Sequence, residues 1–364
     1  MPLGILLEGL GSCSSARLPF RLKPSRGRST GRRFLGPSAA SSAGRSIRSV
    51  QHWAGCCRSP NPSSPSPPPW CHFFPGFSSP SVTVHRTRLS TYANFIKLEH
   101  TILSLPLIYA GAVVGAAGWP SIRLAGLILL AAIGGRVMAM GLNRLIDAAI
   151  DARNPRTKGR ELPSGTMRPL EAWGIVGLAG LLYAGSAAAV APICLIWSPL
   201  PVALFVLYPY LKRFTALSHV GLGLAWSMGP LGGWLATAQS LAHLDQIMWL
   251  WLFAVLWVAG FDVIYATLDE AFDRQEGLHS LPARMGKDRA LRVAALLHAA
   301  AFMALAILQR DVLRSPVGWP WLLAIAAILI WEHAIAPRRP EFAFFYLNAA
   351  LGFLVFGLVA SGLR

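Results

Sequence analysis

From residue 100 onward the chain alternates long apolar runs with short polar loops, and that alternation limits the fold more than any other feature. Nine runs, near 101–118, 122–146, 170–190, 193–209, 218–238, 247–265, 290–308, 320–336 and 342–362, approach the ~20 residues that carry a helix across a hydrocarbon core. The expected fold is therefore all-α, a polytopic membrane bundle of about nine transmembrane helices. Composition agrees. Hydrophobic residues make up 54% and charged residues 13%, against roughly 25% charged in ordinary globular chains. Thirteen tryptophans suit a chain with two membrane interfaces to fill.

The net charge of +17 divides unevenly. Residues 1–90 hold 12 Lys/Arg and the single acid Glu8, together with 18 Ser and 12 Pro. Such a segment cannot bury a core that repays chain ordering, so it is expected to be a disordered leader ahead of a membrane domain over 91–364. Its acid-poor, Arg- and Ser-rich makeup matches an organellar transit peptide. A translation start placed too far upstream in a GC-rich gene would read the same way. The membrane is then a bacterial inner membrane, or the mitochondrial inner membrane if the leader is a transit peptide. Because most of the basicity lies in the leader, nucleic acid is not an expected partner. Cys13, Cys56, Cys57 and Cys71 fall in the leader and Cys194 stands alone, so neither a disulfide framework nor a zinc spacing follows.

Loop charges orient the bundle. If the segment before Thr101 is cytoplasmic, the inside loops carry thirteen Lys/Arg and the outside loops only Arg123, Arg310 and Arg314. Lys158, Arg168, Arg289 and Arg292 need no further explanation than this bias. The acids of the body cluster at the same side. Asn143, Asp147 and Asp151, at i, i+4 and i+8, drift only about 80° around a helix and share a face. Asp262, Asp269 and Asp273, at i, i+7 and i+11 at the end of the sixth span, fall within about 40° of one another and form a second acidic stripe.

Acids at the edge of hydrocarbon are costly and imply a function. Five carboxylates lining one pocket would repel one another without cations, and carboxylate and amide oxygens suit Mg²⁺, which bridges protein to substrate phosphate. Counter-charges follow each stripe: Arg153, Arg156, Lys158 and Arg160 after the first, Arg284 after the second, with Lys212 and Arg213 between them. Acids, metal and a basic rim make a diphosphate site. A transporter could use the same acids as an ion path. Transporter acids tend to lie near the bilayer midplane, however, and these lie at helix ends. His100 and His279 are expected to be interface hydrogen-bonders. A faint repeat, in which Leu162-Pro163 follows the first Asp pair and Leu281-Pro282 the second, hints at two halves.

The stretch Gly135-Arg136-Val137-Met138-Ala139-Met140-Gly141-Leu142-Asn143-Arg144-Leu145-Ile146-Asp147, continuing to Asp151-Ala152-Arg153-Asn154-Pro155-Arg156-Thr157, resembles the first aspartate-rich motif of the UbiA superfamily. Gly260-Phe261-Asp262, Asp269, Asp273 and Gly277-Leu278-His279-Ser280-Leu281-Pro282-Ala283-Arg284 resemble the second, and Tyr208-Pro209-Tyr210-Leu211-Lys212-Arg213 the tyrosine-lysine loop between them. The likeness covers about residues 91–364 and is nearest to the 4-hydroxybenzoate polyprenyltransferase branch. In place of the arginine and Lys-Pro pair common in ubiquinone-type members stands Lys97-Leu98-Glu99-His100-Thr101, as in the menaquinone-associated subgroup.

The resemblance implies a UbiA-type helical bundle that moves a polyprenyl chain from its diphosphate to an aromatic acid, 4-hydroxybenzoate or a naphthoate. It implies that Asn143, Asp147, Asp151, Asp269 and Asp273 hold Mg²⁺, with Tyr208, Lys212 and Arg153 positioning the diphosphate. Arg284 joins that rim. Asp262 is expected to serve as a nearby acid or proton acceptor. Arg136, ~10 Å deeper along its helix than Asn143 by the 1.5 Å rise, is expected to face the acceptor carboxylate. No protein partner is evident beyond the lipid bilayer and these substrates.

Overall fold

The structure is a computed structural model and describes residues 88–97 and 101–362. The expected leader, but for its last residues, lies outside the described residues, as does His100. Fourteen helices follow in order: α1 Arg88–Ile96, α2 Thr101–Ala116, α3 Ile122–Arg153, α4 Pro169–Val190, α5 Pro192–Trp197, α6 Pro199–Leu211, α7 Ser218–Ala238, α8 Asp245–Ala266, α9 Glu270–Gln275, α10 Leu281–Met285, α11 Lys287–Leu308, α12 Gly318–Ile335, α13 Pro340–Phe342 and α14 Asn348–Ser361. Single π turns extend α11 and precede α14. No strand occurs among the described residues.

Among the described residues seven segments are long and apolar enough to cross a membrane: Ile122–Arg153, Pro169–Val190, Pro192–Leu211, Asp245–Ala266, Lys287–Leu313, Gly318–Ile335 and Pro340–Ser361. The two other expected spans are helical as well. Of these α2 has only 16 residues, and α7 is rich in Gly and Ser and therefore less apolar. Leu178, Leu181, Leu296 and Leu323 are exposed on the outer helices, where a protein in water would carry polar groups.

The centre of the bundle is α8. Phe253, Ala254, Trp257 and Val258 are fully buried there against α7 and α11. Because hydrocarbon gives helices little hydrophobic reason to associate, close backbone approach at small residues does much of the work. On α2, Gly111 lies directly over the backbone of Pro230 in α7, and Gly233 of α7 lies over the backbone of Ile108. A Cβ at either position would overlap the opposing main chain.

Two details position the site. Helix α3 starts at Ser121, whose hydroxyl accepts from the Leu124 N–H (3.3 Å), and runs 32 residues, about 48 Å, well past the ~30 Å of a hydrocarbon core. It therefore carries Asp147 and Asp151 beyond the apolar layer on unbroken helix. Helix α8 does the opposite and stops at Ala266. The Thr267 hydroxyl donates back to the Ile264 carbonyl (2.7 Å), and the next amides bond three residues back: Thr267 to Ile264, Leu268 to Tyr265 and Asp269 to Ala266. This tight turn corrects the expectation of one continuous acidic stripe. Asp262 stays on α8, whereas Asp269 precedes α9 and Asp273 lies within it.

Candidate active site

The loop after α3, the end of α6 and the α8–α11 connection meet at one end of the bundle. Asp147 and Asp151, one turn apart, are both buried. Asp147 accepts from Arg213 (3.3 Å), whose guanidinium also holds the Ile146 carbonyl (2.8 Å), and Lys212 Nζ stands 3.8 Å away. Asn143 Nδ2 lies 3.5 Å from Asp147. Asp151 pairs with Arg160 (2.7 Å).

Across from them, Asp269 is gripped in a fork by Arg156, through Nε (2.9 Å) and Nη2, and accepts from Asn154 Nδ2 (3.0 Å). Arg156 in turn donates to the Tyr265 hydroxyl (2.9 Å) and lies over the Tyr265 ring. Burial alone would raise the Asp269 carboxyl, but the hydrogen bonds from Arg156 and Asn154 outweigh it and hold the group below the usual carboxylate range. At Asp273 burial wins against the Ser280 hydrogen bond and the Lys212 charge, so its carboxyl is pushed up. Lys212, 3.8 Å from Asp147, also acts electrostatically on Asp269 and Asp273, so the two acid pairs share its charge.

The expected crowding of uncompensated carboxylates is thus resolved by the chain itself: Asp147, Asp151 and Asp269 each carry a paired base. Among the described residues no three His, Cys, Asp or Glu side chains come close enough to share one ion. The donor set still fits Mg²⁺. It is all oxygen, it comes in two pairs, and this ion usually takes one or two carboxylates and completes its shell with water and phosphate.

Tyr208 lies beside Asn143 and in the field of Arg136, Asp147 and Asp262. Arg136 lines a cavity of about 340 Å³ with apolar walls, formed by residues of α2 to α7 and reaching Trp197 and Leu244. A smaller pocket of about 30 Å³ shares Arg136 and Trp226 with it and extends to Tyr208. The Arg136 Nε is buried without a hydrogen-bond partner, and its guanidinium lies 6.0 Å from the Trp226 ring. An arginine without an acid beside it, at the junction of an apolar cavity and an acidic crown, is built to receive an anion.

Two expected rim residues stand apart. Arg153 is exposed and pairs with Glu276 (2.9 Å) rather than with either acid pair. Arg284 is exposed on α10 and takes part in none of the described ion pairs. His279 contributes its backbone, its N–H donating to the Lys212 carbonyl (2.8 Å).

Other contributors escaped the sequence. Buried Glu161 pairs with buried Arg144, which also reaches the Asn94 carbonyl (3.4 Å) and lies over the Phe95 ring, tying α1 and the 154–168 loop to α3. His219 on α7 holds Asp262 (2.6 Å). Asn154 could have been suspected from Asn154-Pro155, a helix-ending pair; nothing local marks Glu161 or His219.

Residues 104–350 match the UbiA prenyltransferase family. The chain is 29% identical over 277 residues to the 4-hydroxybenzoate octaprenyltransferase of Alcanivorax borkumensis, covering 73% of this chain and 92% of that one. It is 30% identical over 242 residues to the mitochondrial 4-hydroxybenzoate polyprenyltransferase of Arabidopsis thaliana, covering 65% and 58%. Among solved structures, the apo UbiA homolog from Aeropyrum pernix superposes with a TM-score of 0.65 at 32% identity, covering 72% of this chain and 97% of that one. A UbiA homolog from Archaeoglobus fulgidus, solved with GPP and Mg²⁺, shares the fold at a TM-score of 0.56 and 19% identity, over 74% and 99%.

Proposed function

This chain belongs to the UbiA prenyltransferase family and is a membrane prenyltransferase, and from that premise we propose that it transfers a polyprenyl group from its diphosphate to 4-hydroxybenzoate or a closely related aromatic acid. The observation that carries this reading is the stacking of three environments: two acid pairs sharing the Lys212 charge, a buried arginine with no acid paired to it among the described residues, and an apolar cavity beneath that. A donor with a charged head and a hydrocarbon tail, and an acceptor with one carboxylate, match these layers.

Asn143, Asp147, Asp151, Asp269 and Asp273 are the oxygen donors that would hold Mg²⁺, which when bound supplies a Lewis acid for the leaving diphosphate. Lys212, Arg213, Arg156 and Arg160 exchange their carboxylate partners for phosphate oxygens and take up the charge that grows there as the allylic C–O bond breaks. Arg153 and Arg284 form the outer rim met first by the anionic head. Tyr208, through Asn143, helps fix the head group. Arg136 holds the acceptor carboxylate, so that the ring lies beside the allylic carbon. The apolar walls keep water from the cation, which the ring carbon captures instead. Asp262 accepts the proton that the ring then loses. The bacterial relative supports a bacterial inner membrane, and the plant relative the mitochondrial inner membrane if the leader is a transit peptide; the loop charges turn the acidic end toward the cytoplasm or the matrix.

The test uses membranes bearing the full chain, incubated with Mg²⁺, geranyl diphosphate and 4-hydroxybenzoate, with EDTA as control. Mass spectrometry should find a Mg²⁺-dependent C-prenylated acid. Product with a hydroxynaphthoate alone would move the enzyme to menaquinone synthesis, and no product with any aromatic acid would refute the assignment.

A further inference from the structure

The connection between α8 and α11 carries Asp269 and Asp273 but has little helix of its own, with α9 and α10 spanning six and five residues. Two hydrogen bonds tie its far half down. The His279 N–H donates to the Lys212 carbonyl (2.8 Å), and the Leu281 N–H donates to His219 Nε2 (3.2 Å). Because Nε2 accepts, it carries no proton. The proton is on Nδ1, which donates to Asp262 Oδ2 (2.6 Å). The imidazole is almost fully buried, whereas the Asp262 carboxylate remains one-quarter exposed (24%). One ring thus joins three elements: α7, which bears it; α8, through Asp262; and the first turn of α10, through Leu281.

We propose that His219 is a positioning residue. It latches the 276–286 segment over the diphosphate site and in the same act fixes the Asp262 carboxylate, so that closure of the segment and orientation of the acid are one event. Ser280, immediately before the latched amide, caps α10 by accepting from the Ala283 N–H (3.4 Å), and Leu278 in the same segment donates its N–H to the Asp273 carbonyl (2.8 Å). Releasing Leu281 therefore loosens the Asp273 side of the metal and diphosphate site, and releasing Asp262 frees its carboxylate to rotate. No other side chain is bonded to Asp262 among the described residues.

The inference rests on the prenyl-transfer reading for its kinetic arm, and its second arm is independent of activity. In the full chain, His219→Phe deletes both bonds. His219→Gln keeps them in principle, since its amide N–H₂ can donate to Asp262 and its oxygen can accept from Leu281. Leu281→Pro removes the amide at the loop end together with the leucine side chain packed against the Val263 and Ile264 cluster, and Leu281→Ala, which keeps the amide, controls for that packing. Proline is tolerated in the first helical turn, and the preceding Ser280, at φ −70° and ψ 153°, already has the backbone a following proline requires.

His219→Phe and Leu281→Pro should raise KM for geranyl diphosphate on the order of tenfold or more, and His219→Phe should also lower kcat. His219→Gln should stay near wild type in both. Trypsin cleavage after Arg274 and Arg284, followed on the same membranes without substrate, should be accelerated by about the same factor in the two disruptive variants and not in His219→Gln. Unchanged cleavage and KM in His219→Phe, or a His219→Gln variant as impaired as His219→Phe, would overturn the proposal. If the wild type transfers no prenyl group at all, the functional reading fails, and the trypsin comparison still decides the latch.

Discussion

The buried Arg144–Glu161 pair gives the sharpest quantitative test of how the site is held. Both side chains are about 6–7% exposed. The 154–168 loop that Glu161 anchors supplies Arg156 to Asp269 and Arg160 to Asp151. Removing one member of a buried ion pair leaves the other charge uncompensated and costs about 3–5 kcal/mol. In Glu161→Ala the cheapest relief is local: the loop opens and lets water reach Arg144, while the bundle stays folded. At 1.4 kcal/mol per factor of ten, the opening equilibrium should rise by roughly two to three and a half orders of magnitude. The Thr157 and Lys158 amides, which donate to the Asn154 carbonyl, and the Arg160 amide, which donates to Thr157, report this directly by hydrogen exchange. Their protection should collapse while that of α8 is unaffected. Arg144→Met combined with Glu161→Met, which leaves no orphaned charge, should recover most of the loss. Protection within tenfold of wild type in Glu161→Ala would show that the pair does not anchor the loop.

Three further outcomes follow from the same geometry. Asp147→Ala should abolish prenyl transfer while the protein still inserts and purifies normally; normal turnover would remove Asp147 from the site. Asp273→Asn should lose activity yet melt higher at neutral pH. Burial raises the folded-state pKa of Asp273 above its unfolded value, so ionisation works against the fold. That gain should shrink as pH falls through the raised pKa toward the ordinary carboxylate range, and a gain independent of pH would contradict the assignment. Gly111→Leu should push α2 off the Pro230 backbone and lower the melting temperature in detergent by several degrees, whereas Leu at Gly126, which faces open space, should be neutral.

How much of this was legible in the sequence depends on whether the relevant geometry is local. Asp147 and Asp151 could be placed on one face because α3 continues through them without interruption, so helical periodicity carries over unchanged. The same arithmetic failed for Asp262, Asp269 and Asp273. Thr267 is an ordinary residue in a run of residues, and only its hydroxyl bond to Ile264 reveals that the helix stops there. Segment α7 was legible as a span from its lack of charge, although its many Gly and Ser residues serve close packing and leave it less apolar than its neighbours. Glu161 and His219 could not be found at all. Their partners lie 17, 43 and 62 residues away, and a pairing made through space leaves no mark on spacing. The counter-charges were visible as a population, but which base faces which acid was not: Arg156 crosses to Asp269, whereas Arg153 turns outward to Glu276.

The length of α3 has a consequence for substrate selection. One rigid rod supplies both a wall of the apolar cavity, from Ile128 to Ala139, and the acids at 147 and 151. From Arg136 to Asp147 the separation along the axis is about 16 Å, set by the rise of the helix and by nothing that can flex. On the proposed reading, a donor head at Asp147 and an acceptor carboxylate at Arg136 are therefore held a fixed interval apart, and a tilt of α3 would move both together without changing it. Discrimination among donors must then fall to what lies beyond the marked length, in the part of the cavity that α5 and the α7–α8 connection close.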